Sequence, residues 1–204
     1  MENYNIIRDL IYSFSAMGTK LVSQTRATLI GHAPFIAPEA WLNCLYSPIK
    51  EEEIKRIEDS LQRPIPKVYK DFLMCFSNGL NILCDTFCLF GYRRNYARNI
   101  YDVWQPYSII EQNIFENPFD SIFIIGGYDW DGSIIYINES EEICYSSSDD
   151  ETPLLKWDSL IQMLESEIKR LYTLCDDSGK FLDSNKPTIP INKKTDIEEP
   201  SLFL

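Results

Sequence analysis

Asp129 and Asp131 flank Trp130 in the segment Tyr128-Asp129-Trp130-Asp131, and this pair is the densest candidate for chemistry in the chain. Two such carboxylates can hold a divalent cation through oxygen ligands, or divide the roles of acid and base. Their spacing argues against both. Aligning Gly132 with the glycine of a calcium loop puts Gly127 at the first ligand position and Asn138 at the last, where carboxylates are required. Asp131-Gly132 also reads as a type I' hairpin turn, because positive φ at both central positions suits Asp and Gly. A turn and a partner contact are compatible readings of the same residues.

Other reactive combinations are missing from the sequence. His32 is the only histidine and lies in a stretch without periodicity, so it reads as a surface or loop residue. No Gly-x-Ser-x-Gly turn accompanies it, and a nucleophilic triad needs an orienting base. No Gly-x-x-x-x-Gly-Lys or Gly-x-Gly-x-x-Gly loop offers a phosphate cradle. Cys84 and Cys88 have a spacing seen in zinc pairs, but no second such pair follows. The six cysteines read as reduced, buried thiols of a cytoplasmic chain. The expectation is therefore no catalytic residue, no metal and no cofactor.

Charge narrows the partners. The net charge of -12 disfavours a surface that tracks phosphates, so nucleic acid is not expected as a ligand. No run long enough to span a membrane occurs, and the first residues lack the apolar core of an export signal. Between Asp129 and Glu151 lie Asp129, Asp131, Glu139, Glu141, Glu142, Asp149, Asp150 and Glu151, with no Lys or Arg. Such a run is either a solvated edge or a docking face for a basic partner.

The elements that position these residues follow from periodicity. Ile6, Ile7, Leu10, Ile11 and Phe14 form one stripe, which predicts a packed or partner-facing helix from Tyr4 to Met17. Thr19 to Glu39 has no sustained period and reads as a connector. Ser47-Pro48 supplies a cap for a helix over 50–61, and Pro66 opens another that Asn78-Gly79 closes. Leu80 to Cys84 and Thr86 to Phe90 read as a hairpin around Cys84-Asp85. An irregular crossover over 93–105 leads to a short helix over 107–115. Strands over 121–125, 133–137 and 142–146 follow, linked by Gly126-Gly127, Asp131-Gly132 and Asn138-Glu139. A final amphipathic helix runs over 157–174, capped by Asp158 or Ser159.

With 45% hydrophobic residues in 204, the chain can bury one substantial core. The order of elements is α+β, with a mostly antiparallel sheet of about five to six strands covered by helices. The expected division is an N-terminal helix and connector over 1–36, the main domain over 37–175 and a polar tail over 176–204. In that tail, Leu202-Phe203-Leu204 are placed on an apolar patch.

Ile54-Lys-Arg-Ile57-Glu-Asp-Ser-Leu61, Ile65-Pro66-Lys-Val-Tyr69-Lys-Asp-Phe72-Leu73 and Asn78-Gly79, in that order, resemble the opening of the SUKH superfamily. Ile124-Ile-Gly-Gly-Tyr-Asp-Trp-Asp-Gly132 and Trp157-Asp-Ser-Leu-Ile161 are similar to its second half. That superfamily includes bacterial toxin-immunity proteins and fungal regulators of glucan synthesis. The resemblance implies a binding protein rather than an enzyme. It points first to an immunity protein that neutralises a cognate toxin, with a nuclease-type toxin as one case, and alternatively to a non-catalytic regulatory scaffold of the glucan-synthesis-regulator type. The partner surface is then expected at Tyr128, Asp129, Trp130, Asp131, Glu139, Glu141, Glu142, Asp149, Asp150 and Glu151. Trp130 and Tyr128 are its candidate anchors, since interface energy concentrates in desolvated aromatics, although an aromatic beside a hairpin turn more often packs across the strands. Trp41, Trp104 and Trp157 are assigned to packing.

Overall fold

The computed structural model describes residues 4–96, 103–114, 119, 121–147 and 150–190. Helix α1 (Asn5–Ile11) buries Ile7 and Ile11, then tightens into a 3-10 segment, Tyr12–Met17, that stops at Gly18 with φ 112°. The predicted N-terminal helix is therefore present with a tighter second half.

The supposed connector folds as sheet. Strands β1 (Thr19–Leu21), β2 (Thr28–His32) and β3 (Trp41–Leu45) pair antiparallel in succession. Their brevity and Gly31 hide the alternation. Gly31 has φ 75°, and a Cβ there would lie 2.9 Å from the Phe14 Cβ, so glycine lets the 3-10 segment pack on β2.

Helices α2 (Glu51–Leu61) and α3 (Lys67–Cys75) follow. The cap of α2 is Lys50 rather than Ser47. Its backbone N–H donates to the Glu53 carboxylate at 3.2 Å, so an acidic residue in the first turn does the capping. Strands β4 (Leu80–Ile82) and β5 (Phe87–Leu89) make the expected hairpin, and α4 (Ile109–Ile114) the expected short helix. Then come β6 (Ile122–Tyr128), β7 (Ile134–Asn138), β8 (Ile143–Ser146), β9 (Leu155–Trp157) and α5 (Leu160–Tyr172). Ser159 caps α5 by accepting the Gln162 N–H at 3.1 Å.

The fold is α+β, with five α-helices and one antiparallel sheet of nine strands, not five to six, among the described residues. The additions are β1 to β3 and β9. Each strand pairs with the next in sequence, giving the order β1 to β9. Gly126-Gly127 does not link two strands as expected but lies inside β6, where a bulge separates Ile124 from Gly126. A Cβ on Gly126 would press on Leu89 Cδ2 at 2.6 Å and on the Cys88 carbonyl, so only glycine fits this crossing.

Leu80, Leu89, Ile135 and Tyr145 sit on one face of the sheet and are buried in the main core with Met163, Leu164, Ile168 and Leu171 of α5. Adjacent positions point to the opposite face. There Leu29, Cys44, Asn81, Cys88 and Gly127 are in register across five strands. A smaller cluster, with Trp41 and Trp104 against Leu29, Cys44 and Tyr46, packs on that second face, where Asn81 and Cys88 are buried too. Residues Thr188 and Ile189 of the C-terminal segment are buried, and their carbonyls accept hydrogen bonds from Arg170 at 2.6 and 3.4 Å. Leu202-Phe203-Leu204 lie outside the described residues.

Candidate functional site

The β4–β5 hairpin carries an exposed charge, Asp85, beside that second face. Leu83, Cys84 and Asp85 have φ of 50°, 53° and 71°, three successive left-handed residues none of which is glycine. That conformation costs an L residue about 1–2 kcal/mol, so neighbours must hold it. The Leu83 N–H donates to Asn43 Oδ1 at 3.3 Å, Cys84 N–H to the Leu42 carbonyl at 2.8 Å, and Thr86 Oγ1 to the Leu83 carbonyl at 2.7 Å. Asn43 is itself buried and donates to the Ile11 carbonyl at 2.9 Å. The strained turn is thereby tied to the core, and it sets the exposed Asp85 carboxylate in place. Asn81 Nδ2 donates to one oxygen of Asp85, and the Tyr107 hydroxyl to the other at 3.2 Å. Burial, reinforced by Asp85, pushes the Tyr107 phenol far above its ordinary range, so it stays a neutral donor.

Pairing of Phe87 with Tyr128 brings the β6–β7 loop to the same end of the sheet. Asp129 N–H donates to the Thr86 carbonyl at 3.2 Å and fastens the loop to the hairpin. The expected type I' turn is not formed. Gly132 has φ 72°, but Asp131 does not have positive φ, because its carboxylate instead accepts the Ser133 N–H at 3.0 Å and closes a longer loop. Between hairpin and loop lies a cavity of about 230 Å³, lined by Asp85, Phe90, Tyr107, Gly126, Gly127 and Asp129. Partial burial, and then the charge of Asp85, push the Asp129 carboxyl above the ordinary aspartate range. Neither carboxylate has an ion pair among the described residues.

Trp130 stands at the loop tip and is 41% exposed. Tyr128 is buried at 5% and packs across the strands, with its ring against Phe87 and Tyr145 and its hydroxyl donating to Glu167 at 2.6 Å. It supports the loop from beneath and presents no surface. Trp157 is buried in the core, while Trp41 and Trp104 are half-buried.

The remaining acidic residues gather elsewhere. Strand β7, about 17 Å long at ~3.4 Å per residue, separates Asp129, Trp130 and Asp131 from the β7–β8 loop with Glu139, Glu141 and Glu142. Glu139 and Glu151 line another cavity at that far end, where Glu151 also accepts from the Ser121 hydroxyl. Glu142 pairs with Lys156 at 2.7 Å, and this ammonium, with the Asn138 amide, holds its carboxyl below the usual carboxylate range. Asp150 accepts the Thr152 N–H at 2.8 Å. Asp149 lies outside the described residues. The acidic run is thus two surfaces at opposite ends of one strand.

Asp85 and Tyr107 are functional candidates absent from the sequence reading. Their only signals were a Cys-Asp dipeptide in a hairpin turn and a tyrosine after an irregular crossover. The thiols nearby are poor nucleophiles, since burial pushes Cys44 up to about 12 and Cys84 up to about 11. His32 Nε2 is 2.9 Å from the Pro38 carbonyl and its ring lies against Trp41. Among the described residues no group of three or more His, Cys, Asp or Glu side chains is placed to hold a metal. No helix among them is long and apolar enough to cross a membrane.

Fold and site together define an α+β domain with an acidic, aromatic cleft at one end of its sheet. Residues 48–166, more than half of the chain, match the SMI1 / KNR4 family (SUKH-1), and the protein belongs to that family. The match begins after β3 and ends within α5. No curated protein matches the chain.

Proposed function

We propose that this protein is a cytoplasmic immunity protein that binds a cognate bacterial toxin domain and blocks it by contact, without catalysis. The supporting observation is the cleft where Asp85 and Asp129 line a shared cavity beside the exposed Trp130, neither carboxylate being ion-paired among the described residues. Two such carboxylates, with Asp129 partly buried, favour a cationic guest, and a Lys or Arg side chain of a basic surface supplies one. A nuclease-type toxin has such a surface, because its groove attracts phosphate. Charge speeds and orients the encounter, and Trp130 provides apolar contact once the surfaces meet. Asp131 adds to this field. Glu139, Glu141, Asp150 and Glu151, on their separate surface, contribute long-range attraction only.

The family also accommodates a regulatory scaffold, but no geometric feature here favours it over the immunity role. Co-expression with a toxin domain encoded beside this gene tests the proposal. Cells should survive, and a complex should co-purify at low salt. Killing of protected cells together with failure to form a complex would remove that toxin as the partner.

A further inference from the structure

A second cavity, of about 380 Å³, lies on the other side of Asp85, against β3, β4 and the chain leaving β5. Trp41, Tyr46, Trp104 and Tyr107 supply aromatic walls. Asp85 and Arg93 line it too, with opposite charges that are paired neither with each other nor with another ion among the described residues. Arg93 spends only its Nε on a hydrogen bond, to the Asn95 carbonyl at 3.2 Å.

Asn81 is 8% exposed, and its amide nitrogen donates to Asp85, which holds the carboxylate in place at the cavity's polar corner.

We infer that this cavity binds a free α-amino acid with a large apolar side chain. Its ammonium meets Asp85, its carboxylate meets Arg93, and its side chain lies among the rings of Tyr46 and Trp104. The size falls within the range of small-molecule sites, which are mostly apolar with a few placed polar groups. A ligand with one charge leaves either Asp85 or Arg93 without its counter-charge, so the site discriminates in favour of a zwitterion. The inference needs no protein partner, and it shares Asp85 with the docking cleft.

The test titrates the full chain with L-phenylalanine, phenethylamine and hydrocinnamate, following the indole N–H signals by NMR. Phenylalanine should give saturable shifts at Trp41 and Trp104 while Trp157 stays still. Each singly charged analogue should bind about tenfold more weakly or worse. Arg93→Gln should abolish the preference for phenylalanine over phenethylamine while keeping the preference over hydrocinnamate. Equal binding of the three probes, or no saturable shift at Trp41 and Trp104 with phenylalanine up to its solubility limit, overturns the inference. Variants whose unliganded spectra match the parent's beyond the changed residue are the ones compared.

Discussion

Tyr128 Oη lies 2.6 Å from Glu167 Oε2, so the residue just before the acidic loop is bolted to the helix across the core. Glu167, 3% exposed, accepts in turn from Arg170 Nη2 at 2.7 Å, and Arg170 also holds the Thr188 carbonyl. One buried chain of hydrogen bonds therefore links the C-terminal segment to the root of the cleft.

Removing the Tyr128 hydroxyl tests that anchor. Tyr128→Phe leaves a buried carboxylate short of one donor, and hydrogen bonds to charged groups contribute about 1.5–3 kcal/mol. The expected result is a lower urea midpoint with an unchanged m-value. An unchanged midpoint would show that the bond carries no net stability.

Asp85 acts on Asp129 through charge, and that coupling can be read directly. Asp85→Asn keeps the shape of the turn but removes the negative neighbour, so the Asp129 carboxyl should titrate lower than in the parent. A carboxyl-detected NMR titration reports it. A shift upward, or none, contradicts the proposed proximity of the two charges.

The direction of the Asp129 shift also sets the pH dependence of binding. A raised folded pKa means that Asp129 keeps its proton to higher pH than a free aspartate and is uncharged below that point. A cationic partner binds the ionised form and drives the proton off, so affinity should rise as pH increases through the Asp129 titration. Calorimetry in buffers of different ionisation enthalpy should show proton release on the acidic side. The opposite trend would mean that Asp129 is protonated in the complex.

Splitting of the acidic run gives a comparison between two surfaces. Charge reversal at Asp129 and Asp131 should slow association at low ionic strength by about tenfold or more. The same reversal at Glu139 and Glu141 should act weakly, and the gap should shrink as salt is added. Equal slowing by the two pairs in stopped-flow would place the contact surface at neither end in particular.

Much of the architecture was legible because core elements repeat strongly. Ile54 and Ile57 are fully buried on α2, and Leu160, Leu164, Ile168 and Leu171 on α5, as their spacing implied. Strands β1 to β3 and β9 escaped notice, since β1 is exposed throughout, Gly31 interrupts β2, Asn43 interrupts β3 and β9 buries only Trp157. The acidic loop was visible as Asp129-Trp130-Asp131, but its companions were not. Asp85 joins it only through the Phe87–Tyr128 register, and Tyr107 through the packing of the crossover, neither of which is local in sequence. The same geometry divides what looked like one acidic face, because a strand turns neighbours in sequence into opposite ends in space.

Hydrogen–deuterium exchange of the protein alone and in complex with a toxin domain that it neutralises on co-expression reads the docking surface most directly. Amides of the β4–β5 hairpin, residues 83–86, and of the loop over 129–133 should gain protection together on binding. Protection confined to the far end around Glu139 to Glu142, with the hairpin and loop exchanging as before, would contradict the cleft as the docking site.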